Sequence, residues 1–153
     1  MRKGLLLSAI VPAFFLVLAL PAGSFPGAAA PAPGASGYHV IRTVPVPGED
    51  GWDYVAVDSD ARRVYISHGT HVVVMNADTY AIEGDIPDTP GVHGIAVAPS
   101  LGRGFVSNGR ADTVTIFDLT TLKELGRPKV GTNPDCIIYD EPSHRVFTFN
   151  SNV

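Results

Sequence analysis

Asp53, His93 and Asp135, three residues of acid/base and metal-ligating type, stand 40 and then 42 positions apart. Each opens a short apolar run: DYVAVD, HGIAVA and DCIIYD. A second set, His68, Asn108 and Asn150, keeps the same intervals of 40 and 42, each closing a run that carries an aromatic residue. Converging imidazoles and carboxylates can hold a divalent cation, with His93 and His68 as candidate metal ligands. His93 beside Asp53 or Asp135 can form an acid/base pair, because an imidazole titrates near neutrality. Trp52 either adds an aromatic wall to the same place or packs between neighbouring structural units. A plainer role competes for Asp53, Asp135, Asn108 and Asn150. Asp and Asn at strand ends accept backbone N–H bonds, and Asn-Gly or His-Gly suits a tight hairpin where φ is positive. His93 fits that role least, since it breaks a column that otherwise reads Asp. No residue is assigned a catalytic role.

The spacing itself dictates the elements that carry these residues. DYVAVDSDARRVYIS, HGIAVAPSLGRGFVS and DCIIYDEPSHRVFTF align without gaps, with Arg63, Arg103 and Arg145 in one column and Tyr65, Phe105 and Phe147 in another. Repetition of this kind at about 40 residues is the signature of a repeat architecture. The first unit offers strands at 53–58, 63–68, 71–76 and 82–87, the second at 94–98, 103–107, 113–118 and 123–130. Nothing from His39 onward sustains a helical period, so the fold class is all-β. Four short antiparallel strands per unit make one blade of a β-propeller. The runs YVAVD and GIAVA lack alternation, as strands covered on both faces do. An immunoglobulin-like sandwich gives no reason for column identity at a fixed period. In a propeller, the loops opening the innermost strand and those joining the second and third strands share one face. Trp52, Asp53, His68, His93, Asn108 and Asp135 are therefore expected at the mouth of the central channel. The arginine column falls on the opposite face, where pairing with acids or carbonyls of neighbouring turns is expected.

Met1-Arg-Lys followed by GLLLSAIVPAFFLVLAL and a small-residue stretch reads as a secretory signal peptide over 1–30, with cleavage after Ala30. Residues 31–37 are a flexible spacer, and no stable membrane span is expected after cleavage. The location that follows is periplasmic or extracellular. Removing 1–30 takes away Arg2 and Lys3 and no acid, so the net charge falls from −4 to −6. That charge opposes nucleic-acid binding, which depends on Lys and Arg displacing counterions. Cys136 is the one cysteine, so no intrachain disulfide holds the fold. G-x-S-x-G, P-loop, G-x-G-x-x-G, H-E-x-x-H and C-x-x-C-H patterns are absent from the chain, the last excluding covalent haem within these residues.

The phrases GWDYVAVD, ARRVYISHG, TPGVHGIAV and NGRADTVTIFDL resemble the YncE-like proteins with YVTN-type propeller repeats, and the likeness runs from about Tyr38 to the last residue. The resemblance implies a seven-bladed propeller, of which about two and a half blades are present. The expected division is an outer strand of the closing blade at 38–46, blade 1 at 51–90, blade 2 at 91–133 and the first half of blade 3 at 134–153. Ending at FNSNV, the sequence reads as a fragment whose open arc leaves apolar blade faces exposed. The function implied is a binding or scaffold module that meets a protein or small-molecule ligand at the channel face. Similar propellers in quinoprotein dehydrogenases and haem-containing nitrite reductases give the alternative, an enzyme or enzyme subunit. The sequence names no cofactor. Relatives of this family suggest single-stranded nucleic-acid binding as well, which the charge opposes.

Overall fold

The computed structural model describes residues 37–48 and 51–151; the expected signal peptide and the spacer up to residue 36 lie outside them. Residues 37–41 carry no regular element, and neither do 42–48. The outer strand expected at 38–46 belongs to the closing blade, whose other strands are not among those described. A strand exists only as part of a ladder, and its N–H and C=O groups need a neighbouring edge. Within the second of these stretches the Arg42 guanidinium lies 4.9 Å from the centre of the Tyr80 ring, a cation–π contact.

Ten strands follow among the described residues: β1 (Trp52–Asp58), β2 (Arg63–His68), β3 (His71–Asn76), β4 (Ile82–Ile86), β5 (Val92–Ala98), β6 (Arg103–Asn108), β7 (Thr113–Asp118), β8 (Glu124–Gly126), β9 (Pro134–Asp140) and β10 (Arg145–Asn150). They form three antiparallel sheets in the order β1-β2-β3-β4, β5-β6-β7-β8 and β9-β10. The first strands of the sheets lie side by side, β1 against β5 and β5 against β9. This is the arrangement of consecutive propeller blades around a channel. The outer strand expected over 123–130 is cut to β8, with a single further bridge between Thr113 and Lys129. Pro128 accepts from the Val114 N–H but has no N–H of its own, which interrupts the ladder.

The turns repeat because their chemistry does. Between the first two strands the Asp58 carboxylate accepts from the Asp60 and Ala61 N–H groups, and the Asp140 carboxylate accepts from that of Ser143. Each such turn ends on one left-handed residue, Arg62, Gly102 or His144. Between the third and fourth strands, Asn76 and Asp118 each take two backbone N–H bonds, and Tyr80 and Leu122 supply the positive φ. Short polar side chains that mimic a backbone turn suit these positions.

Two layers of apolar side chains join the sheets. Tyr65, Val72, Val74 and Ile86 meet Val92, Ile95, Val106 and Phe117 between the first and second, with the Tyr65 and Phe117 rings 5.9 Å apart. Ala96, Ala98, Phe105 and Val114 meet Ile137 between the second and third, with Tyr139 stacked 6.3 Å from Phe105. Gly104 occupies the column that holds Val64 and Val146 elsewhere, and a Cβ there would overlap the Phe117 ring. Of the arginine column, Arg63 binds Glu83 at 2.7 Å and donates across to the Leu119 carbonyl, tying the first sheet to the second.

Candidate functional site

The ladder between the first two strands slips at the same place in all three sheets. Trp52 pairs with His68 and Val55 with Ile66, leaving Asp53 and Tyr54 opposite Ser67 alone. Val92 pairs with Asn108 and Ile95 with Val106, leaving His93 and Gly94 opposite Ser107. Asn150 pairs with Pro134 and Phe149 with Cys136, leaving Asp135 out of the ladder. Bulges of this kind bend a strand and re-aim a side chain.

The serines complete the broken ladders. Ser67 Oγ accepts from the Tyr54 N–H at 2.6 Å and donates to the Tyr54 carbonyl. Ser107 Oγ accepts from the Gly94 N–H at 2.8 Å and donates across the sheet boundary to the Asp135 carbonyl at 2.6 Å. Gly94 makes that approach possible: a Cβ on it would stand 2.9 Å from the Asp135 carbonyl oxygen and from the Ile137 side chain.

The three bulges bring Asp53, His93 and Asp135 together. His93 Nδ1 lies 2.5 Å from Asp53 Oδ2, and one ligand atom of each residue falls within 4.8 Å of those of the other two. Asp53 is exposed, while His93 and Asp135 are half-buried. Among the described residues no protein group donates to the Asp135 carboxylate. Gly109 leaves room for the imidazole, since a Cβ there would meet His93 Nε2 at 2.7 Å and Asn133 Oδ1 at 2.6 Å. A cleft of about 390 Å³ opens in front of Asp53 and His93, walled by Trp52, Arg110 and Asn133. The Tyr54 phenol shares this negative field: Asp135 most of all, then Cys136, burial and Asp53 push its pKa above the ordinary value.

The other expected site residues lie elsewhere or only at the edge. Trp52 is half-exposed and walls the cleft, its ring centre 3.8 Å from that of His68. His68 is buried instead of facing the mouth, at 1% exposure, under Trp52 and against Gly48, with neither ring nitrogen hydrogen-bonded among the described residues. Asn108 is likewise buried, its amide donating to the Thr113 and Thr115 hydroxyls within its own sheet. Both close the second strand directly opposite the first residue of the inner strand, where no bulge turns the side chain out. Tyr54, Arg110, Asn133 and the serine pair are not among the expected site residues. Ser67 and Ser107 share an alignment column 40 apart, which was the legible signal; Arg110 lies in the second unit's two-residue insertion, outside any column.

No protein-family model matches the chain, and no curated protein matches it in sequence. Solved structures do match. A chain of Kuenenia stuttgartiensis hydrazine synthase is similar at a TM-score of 0.64 and 21% identity, over 75% of this chain and 33% of that one. The β-propeller domain of Myceliophteria thermophila Cps50 (Swd1) gives 0.59 and 9%, over 72% and 35%, and U3-55K gives 0.61 and 9%, over 67% and 34%. The chain thus spans about a third of the length of the structures it matches. At these identities the likeness is one of fold, and with the three repeated sheets it identifies the chain as part of a β-propeller.

Proposed function

We propose that this chain is part of a YncE-like propeller that binds a ligand or partner at the channel mouth, in the periplasm or outside the cell. One observation carries the reading: the same bulge, repeated in three blades, brings one polar side chain from each within 4.8 Å of the other two, beside a cleft lined by Asp53 and His93. A larger cleft of about 450 Å³ lies at the turn of Asp58 and Ala61, but its Arg63 and Glu83 are already bound to each other, Arg63 also to the Leu119 carbonyl and Glu83 to the Asn76 amide. At the mouth no protein group among the described residues donates to the Asp135 carboxylate, which suits it to a ligand. The repeat phrases support the family, and the N-terminal apolar run supports export.

Amide chemical-shift mapping with a small-molecule fragment library tests the reading. Shifts clustered on residues 51–54, 91–94 and 133–135 are expected; shifts clustered on 58–63, 83 and 119 would move the binding face to the opposite end. Export is tested by N-terminal sequencing of the secreted protein, which is expected to begin at Pro31. The short contact between His93 and Asp53 favours a second reading, general-base chemistry at the same mouth in an enzyme or enzyme subunit.

A further inference from the structure

We propose that Asp53, His93 and Asp135 together bind one divalent first-row transition ion, each blade supplying one donor. The inference rests on the channel mouth being the binding face. Donors around a tetrahedral ion with bonds near 2.1 Å stand roughly 3.4 Å apart. The three ligand atoms lie within 4.8 Å of one another, so side-chain rotation of about 1 Å closes the set without moving a strand. The backbone that carries them is fixed: Ser107 ties β5 to the Asp135 carbonyl, and Gly94 lets β9 approach.

Charge points the same way. Two carboxylates flank one imidazole, only Asp53 is engaged by it, and the Asp135 carboxylate has no protein donor among the described residues. Among the residues lining the cleft Arg110 is the cationic side chain, and Asp53 together with Asp135, which adjoins the cleft through its approach to His93, outnumbers it. One nitrogen and two carboxylate groups suit manganese, iron, cobalt or zinc in the divalent state. They are too few oxygens for calcium, which takes six to eight.

The test is titration of the chain with Co²⁺, read by visible absorption and by paramagnetic broadening of backbone amide signals. One equivalent is expected, with broadening centred on residues 53, 93 and 135 and reversed by Zn²⁺. His93→Gln and Asp135→Asn are each expected to weaken Co²⁺ by about tenfold or more. Asp78→Asn, whose carboxylate pairs with Arg62 at a distant turn, leaves binding unchanged. Broadening in the parent protein needs no variant, so a substitution that fails to fold does not remove the answer. No broadening at millimolar Co²⁺, or broadening centred on His39, His71 or His144, overturns the proposal. If fragment shifts still cluster at the mouth in that case, the metal assignment falls and the binding face stands. If Co²⁺ binds here while fragments map to the opposite cleft, the metal site stands without the wider reading.

Discussion

Gly104 gives the sharpest test of how the blades pack. By alignment the position holds Val64 in the first repeat and Val146 in the third, so replacing Gly104 by a larger residue looks conservative. The packing around it forbids the exchange. A Cβ at 104 would overlap three carbons of the Phe117 ring, and Phe117 is wholly buried against Tyr65 in the layer between the first two sheets. The ring has no open space to swing into, which places even Gly104→Ala at the upper end of overpacking, about 3 kcal/mol. Reduced freedom of the unfolded chain returns up to about 1 kcal/mol. The net loss is about 2 kcal/mol, a fall in Tm of about 8–16 °C for a folded unit of roughly 100 residues. Thermal and urea melts followed by near-UV circular dichroism read it directly. Pairing the substitution with Phe117→Leu should recover part of the loss, since residues in contact do not act additively. A loss below about 0.5 kcal/mol, or a double variant no better than the sum of its parts, would refute this packing of the layer.

Ser107→Ala removes the partner of the Gly94 N–H and the donor to the Asp135 carbonyl in a buried place, and a loss of about 3 kcal/mol is expected in urea unfolding. Ser67→Ala, whose partner Tyr54 is exposed, is expected to lose about 1 kcal/mol; equal losses would contradict the bridging role of Ser107. The Glu83 carboxyl is held below its ordinary pKa by the Asn76 amide and then by Arg63. Its folded value is lower than its unfolded one, so its stabilisation is complete above about pH 4.3 and is lost as pH falls through the lower folded value. Glu83→Gln should therefore flatten the acid limb of the urea midpoint against pH, and an unchanged limb would argue against the pairing.

The blades were legible because each rests on local signals that repeat: an apolar run, an Asp or Asn that closes a turn, an aromatic at a fixed offset. Asp53, His93 and Asp135 could be placed together for the same reason, as one column of one strand type. The two second-strand ends were not legible in this way. His68 and Asn108 share a column and a turn, but whether a strand-end side chain faces solvent depends on the partner opposite it, and burial beneath Trp52 or beside Thr113 and Thr115 is a tertiary matter. The bulge has no residue type of its own either. Only the serine column betrays it, and serine hydroxyls bond to nearby backbone in many settings that have no bulge. The outer strand expected over 38–46 belongs to a closing blade, and a strand's pairing partner is not written in its own residues.

Because the bulged residue stands outside the ladder, its identity is nearly free of folding cost. Asp53, His93 and Asp135 occupy the same position in three copies of one unit, and that position has already taken two different side chains here. A point substitution at one bulge rewrites one side chain of the mouth and leaves the other two where they were. A propeller built on this plan can vary its mouth one blade at a time, and duplicating a blade adds one more such side chain along with the strands that hold it.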